Sequence, residues 1–245
     1  SRRTLLVGVP AAALLSTGVL GARKASAAEN LSKELRRGAS TALALRGADV
    51  SFAPQEYAAG RHFRDHGRAQ PVEEILVAHG ANYARLRLWV DPPAGYSNLS
   101  NVLGEARRVK RAGMKLLLDL HYSDFWADPG HQTIPAAWQG QDLATLAETV
   151  RGYPRDTIAS FARHGTPVDM VQIGNEVTAG MLWPLGQIYL TSVANFPDVA
   201  TLVNAGIRGA REGNPPCHYL RVMLHIDRGG DNGGATLFSD HVMAA

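Results

Sequence analysis

The sequence of 245 residues is 45% apolar and 19% charged, a composition that supplies a packed core and excludes wholesale disorder. One cysteine, Cys217, excludes an internal disulfide and a cysteine-based zinc cluster. The formal charge is +3, but residues 1–28 hold Arg2, Arg3, Arg23 and Lys24 and no acid; without these four the body carries 21 basic against 22 acidic side chains, a net −1, so no nucleic-acid partner follows from charge.

The chain opens with Arg2-Arg3, then an apolar stretch over 5–20 and a small-x-small pattern at Ala25-Ser26-Ala27. This is the layout of an export signal of twin-arginine type over residues 1–28, and it predicts a bacterial protein that is secreted to the extracellular side. The apolar run is short for a bilayer span, so no membrane contact is expected after cleavage.

Five short apolar runs follow, at 43–52, 83–90, 114–121, 168–175 and 220–226, as buried parallel strands require. Amphipathic patterns between them predict helices over 72–79, 98–112, 142–164, 198–212 and 235–245. Asn98 can cap the second of these and Gly113 can end it; Pro154 should kink or split the third. Successive strand ends lie 31 to 54 residues apart, a spacing of βα units that fits either a (β/α)8 barrel or an open doubly wound sheet. The glycine-rich phosphate loop that usually announces the open sheet is absent.

Polar side chains gather after the apolar part of each strand: Asp49 and Ser51; Arg85, Arg87 and Trp89; Asp119, His121, Asp124 and Trp126; Gln172, Asn175 and Glu176, followed by Trp183; then His225 and Asp227. A barrel collects strand ends at one face, where catalytic groups sit. Each also has a plainer reading: Arg85 or Arg87 as an ion-pair partner, His121 as a hydrogen-bonded core histidine, and Trp126, Trp138 and Trp183 as core. Their Asp-, Gly- and Pro-rich surroundings favour exposed platforms for the flat faces of sugars. Asp119-x-His121 and His225-x-Asp227 could suggest a metal hydrolase, but the paired histidines expected after the first strand are absent. No metal and no cofactor are expected.

Gly174-Asn175-Glu176 at a strand end resembles the acid/base signature of retaining barrel glycosidases. Five ordered blocks narrow the likeness: Gly47 to Ser51, Asn82 to Val90, Leu118 to Gly130, Val171 to Pro184, and Met223 to Asp227, with Gln132, Pro135 and Trp138 between the third and fourth. Together they resemble glycoside hydrolase family 53 over about residues 45–245. The resemblance implies an α/β fold of the (β/α)8 TIM-barrel type, with residues 29–245 as a partial catalytic barrel of about five βα units. It implies endo-hydrolysis of β-1,4-galactosidic bonds in galactan or arabinogalactan, the side chains of pectin, with retention of configuration. Glu176 is then the general acid and later the base. Asn175 is similar to the residue that meets the sugar 2-hydroxyl. Arg85 would steady the nucleophile's carboxylate; Arg87, His121, His225 and Asp49 lie in the site; Trp89, Trp126 and Trp183 are sugar-contact candidates. The nucleophilic glutamate would end the seventh strand, beyond residue 245, so these residues alone are expected to be inactive. Alternatives are a non-catalytic galactan-binding fragment or another polysaccharide endo-hydrolase of the same superfamily.

Overall fold

A computed structural model describes residues 43–93, 95–189 and 194–245; the expected export segment at 1–28 lies outside them. Five parallel strands form one sheet: β1 (Gly47–Asp49), β4 (Tyr83–Leu88), β5 (Lys115–Leu120), β6 (Met170–Ile173) and β7 (Arg221–Met223). They lie in the order β1-β4-β5-β6-β7. A two-stranded antiparallel excursion, β2 (Arg64–Asp65) and β3 (Arg68–Ala69), stands apart from them. The helices are α1 (Ala53–Ala58), α2 (Val72–Ala78), α3 (Leu99–Arg111), α4 (Leu143–Arg163), α5 (Phe196–Gly213) and α6 (Asn232–Ala244). Sheet order follows chain order, without the reversal that creates the switch point of a doubly wound sheet. This is the order of consecutive βα units in a (β/α)8 barrel.

Strand parity separates core from site. Ala84, Leu86 and Leu88 on β4, Leu116, Leu118 and Leu120 on β5, and Val171 and Ile173 on β6 are all fully buried in the apolar core. Burying each of the larger side chains stabilises the fold by about 1.5–3 kcal/mol. The alternate positions carry Arg85, Arg87, Asp119 and Gln172. Register aligns Asp49 with Arg85, Arg87 with Asp119, and Asp119 with Gln172 on neighbouring strands.

The strands are shorter than the apolar runs suggested. The first ends at Asp49 because the chain turns through Ser51 into α1, whose first turn holds Pro54. The fourth ends at Ile173: Gly174 has φ 77° and Glu176 φ 51°, conformations that leave the β region. At Gly174 a Cβ would sit 2.5 Å from Val177 Cγ1, so the turn requires glycine twice over.

Two helix starts follow their sequence signals. Asn98 caps α3, its side chain accepting from Asn101 N at 3.0 Å, and Asp142 caps α4, accepting from Thr145 N at 2.8 Å. Pro154 does not split α4, which runs unbroken from Leu143 to Arg163 with the proline buried. The reason lies in α5. A Cβ at Gly209 would fall 1.9 Å from Arg151 O and 3.0 Å from Pro154 Cγ, and one at Gly213 would fall 2.2 Å from Arg155 O. The two helices therefore meet backbone to backbone, and dispersion across that seam, with the Arg151–Glu212 ion pair at 2.7 Å, holds the proline-containing turn in place. Among the described residues, no helix is long and apolar enough to cross a membrane.

Candidate active site

Arg85 is the hub of a polar layer at the strand ends. Its Nη1 pairs with Asp49, its Nη2 donates to Asn175 Oδ1 at 2.8 Å and lies 2.7 Å from Asp119 Oδ2, and its Nε donates to Gln172 Oε1 at 3.2 Å. Four strands thus converge on one guanidinium, whose planar fork suits several acceptors at once. Burial alone would raise the Asp49 carboxyl, but hydrogen bonds from Ser51 and the charge of Arg85 outweigh it and hold its pKa below the ordinary aspartate value. Asp119 is fully buried and accepts from Gln172 Nε2 at 2.6 Å. Its other oxygen lies 2.8 Å from His121 Nε2, an ion-pair distance without hydrogen-bond alignment.

His121 is buried and structurally engaged. Its Nδ1 accepts from Trp89 Nε1 at 3.3 Å and from Ala127 N at 3.2 Å. Two donors on Nδ1 leave the ring proton on Nε2, facing Asp119. His225 reaches the layer from beyond β7, donating from Nδ1 to Asn175 Oδ1 at 2.8 Å. The Asn175 amide is thereby fixed: its oxygen takes Arg85, Gln172 and His225, and its nitrogen donates to Ala127 O at 2.8 Å.

Glu176 follows directly in the left-handed conformation (φ 51°, ψ 48°). Gln132, itself buried, donates to the Asn175 carbonyl at 2.8 Å and reaches the Glu176 carbonyl at 3.5 Å; Val177 N donates to His225 O at 2.9 Å. The backbone on both sides of the acid is held while its half-buried carboxylate makes no hydrogen bond or ion pair among the described residues. That leaves the carboxyl available for an incoming group. Asp227, by contrast, is taken up by Thr178.

The aromatic candidates part ways. Trp126 is 40% exposed, beside Phe52 at 49% and Phe125 at 54%. Trp183 is half-buried, its Nε1 donating to Ala179 O at 3.1 Å. Trp89 is only 4% exposed and lies beneath Phe125 and Trp126, so it backs a platform and offers no open face. Trp138, expected as an exposed platform, is buried against Tyr122 and Tyr153. Tyr153 on α4 turns it inward, a contact that loop composition does not disclose. Arg87 is buried to 1% exposure and is therefore removed from direct contact with a ligand. A cavity of about 520 Å³ opens beside Trp126, between Asp124, Asp128 and His131.

Asp119 and Gln172, which the sequence gathers at the strand ends without giving them a role, belong to the site, and so does Gln132. Strand parity puts Asp119 and Gln172 on the face of Arg85 and Arg87. Gln132 sits in a loop with no such period. Among the described residues, no group of three His, Cys, Asp or Glu side chains could hold a metal.

Comparison with known proteins gives the following. Residues 45–245 match the model of glycosyl hydrolase family 53. A probable arabinogalactan endo-beta-1,4-galactanase A of Neosartorya fischeri is 40% identical over 208 residues, covering 84% of this chain and 57% of that protein. Arabinogalactan endo-beta-1,4-galactanase A of Aspergillus niger is 40% identical over 193 residues, covering 78% and 53%. Among solved structures, a chain from a study of two fungal beta-1,4-galactanases superposes with TM-score 0.77 at 37% identity, over 83% of this chain and 59% of that one. The Ignisphaera aggregans GH53 catalytic domain gives 0.73 at 32%, over 82% and 56%. The chain thus spans little more than half the length of these relatives.

Proposed function

The chain belongs to glycosyl hydrolase family 53, and from that premise we propose that the protein cleaves β-1,4-galactosidic bonds inside galactan or arabinogalactan chains, with Glu176 as the general acid. The observation that carries the proposal is the Asn175–Glu176 step: an asparagine locked by Arg85, Gln172 and His225, followed by a carboxyl with its backbone held and its oxygens unengaged among the described residues. A retaining cleavage asks such a group to protonate the departing glycosidic oxygen and then to take a proton from the attacking water.

The remaining part of the mechanism is a second carboxylate about 5–5.5 Å from the first, which attacks the anomeric carbon. In this reading it ends the seventh strand of the barrel, two after β7, which is the fifth of the barrel sheet, and no such strand is among the described residues. Asp119 does not fill that role, since it is fully buried and closed to a substrate carbon. In this reading Arg85 holds the nucleophile's charge and Trp126 takes an apolar sugar face, which the 40% exposure of its ring supports. We also read the protein as exported, on the strength of the segment at 1–28.

The test uses the full-length protein and linear β-1,4-galactan, with β-mannan and β-glucan alongside. Glu176→Gln should lower kcat on galactan by roughly 10²–10⁴-fold while leaving the fold intact. Release of reducing ends by that variant at the wild-type rate, or wild-type preference for mannan or glucan, would overturn the proposal.

A further inference from the structure

Arg87 forms no carboxylate ion pair among the described residues. Its guanidinium carbon instead stands 4.2 Å from the ring centre of Trp126 and 4.6 Å from those of Phe52 and Trp89. Nη2 donates to Ser97 Oγ at 3.2 Å, and Nε has no hydrogen-bond partner among the described residues. A cation stripped of water is strongly attracted to ring faces, and here three rings from three strand ends share one.

The arrangement has an inside and an outside. Arg87 and Trp89 are 1% and 4% exposed, whereas Phe52 and Trp126 are 49% and 40% exposed, their centroids 6.0 Å apart. The two outer rings therefore each touch the guanidinium and also offer substantial surface to solvent. Trp126 also meets the ring of His121 at 5.7 Å, which ties the group to the polar layer around Asp119.

We propose that Arg87 is a positioning residue for polysaccharide binding: its guanidinium sets the tilt and spacing of Phe52 and Trp126, which together form a two-ring platform for successive sugar faces, with Phe52 a specificity-determining contact. This rests on the glycosidase reading of the same face. The guanidinium is planar and stacks on rings, while an ammonium is a point charge, so lysine retains the charge and loses the geometry. Two rings fixed by a common centre bind an extended chain with less ordering cost than two independent ones.

The experiment compares Arg87→Lys, Arg87→Met, Phe52→Ala and the Arg87→Met/Phe52→Ala pair in the full-length protein. All are assayed on whichever polysaccharide of the galactan, mannan and glucan panel the wild type cleaves. Arg87→Met and Phe52→Ala should each raise KM about tenfold with kcat within about twofold, Arg87→Lys should raise it about threefold, and the pair should be no worse than Arg87→Met alone, since both remove one platform. Acrylamide quenching of tryptophan fluorescence, read without substrate, should increase in Arg87→Met. A fall in kcat with KM unchanged, multiplicative effects in the pair, or unaltered quenching would each overturn the inference. Failure of the galactanase reading shows itself separately, as wild-type preference for another polysaccharide; if the wild type cleaves none, the quenching result decides.

Discussion

Replacing Glu105 by glutamine should make the protein more stable, and the gain should depend on pH. Glu105 lies on α3, 3% exposed, with Oε2 unpartnered. Burial pushes its pKa from 4.5 up to about 8; Arg108 on the same helix and Arg87 on β4 oppose the rise, while Glu73 on α2 and Asp49 on β1 add to it. Arg108 is the larger of the two opposing charges, with its Nε engaged by Glu73 at 3.0 Å. The folded state holds a proton that the unfolded chain releases above pH 4.5, so stability falls as pH rises from about 4.5 to about 8 and levels off beyond. Each pH step across that window is worth about 1.4 kcal/mol, which bounds the total at roughly 5 kcal/mol. Glutamine keeps the shape and has no proton to lose. Thermal unfolding of wild type and Glu105→Gln should coincide near pH 4 and separate by up to about 10–20 °C at pH 9, given roughly 2–4 °C per kcal/mol for a chain of this size. Every other titration is common to both proteins and cancels in the difference. A gap that stays constant from pH 4 to 9 would show that Glu105 is solvated, and would refute the reasoning.

Two other substitutions probe the frame around the site. Gly209→Ala places a methyl group on Arg151 O and Pro154 Cγ, so α4 and α5 must separate; denaturant unfolding should show a loss of about 1–3 kcal/mol, and unchanged stability would mean that the seam is loose. Gln132→Met keeps the volume but removes the donor to the Asn175 carbonyl; kcat should fall about tenfold with KM little altered, as expected when an acid drifts out of line, and kinetics equal to wild type would remove Gln132 from the machinery.

Much of the frame was legible because its signals are local. Asn98 before the pattern of Leu99, Val102, Leu103, Ala106 and Val109 named the start of α3 and its inner face, and both are observed except at Leu99, which is 37% exposed. The gathering of Arg85, His121, Asn175 and His225 was legible because parity and strand ends fix direction. What escaped depends on distant partners. Pro154 looked like a breaker until Gly209, far along the chain, supplied a flat surface for it. Trp126 and Trp138 stand in similar loops, yet one faces solvent and the other Tyr153. Arg87 could be placed on the right face of β4, but its dependence on Phe52, an unremarked residue after the first strand, is visible only in three dimensions.

The fourfold engagement of Arg85 has a consequence for how such a protein can vary. Asp49, Asp119, Gln172 and Asn175 hang on one guanidinium, so exchanging any of them alone leaves it short of a partner, and removing the cation leaves the fully buried Asp119 without its counter-charge. Drift at these five positions is thereby coupled: descendants should either retain the set whole or exchange it together, and the strands that bear it cannot be shuffled past one another. The cation acts as a census of its neighbours, present in the right order or not tolerated.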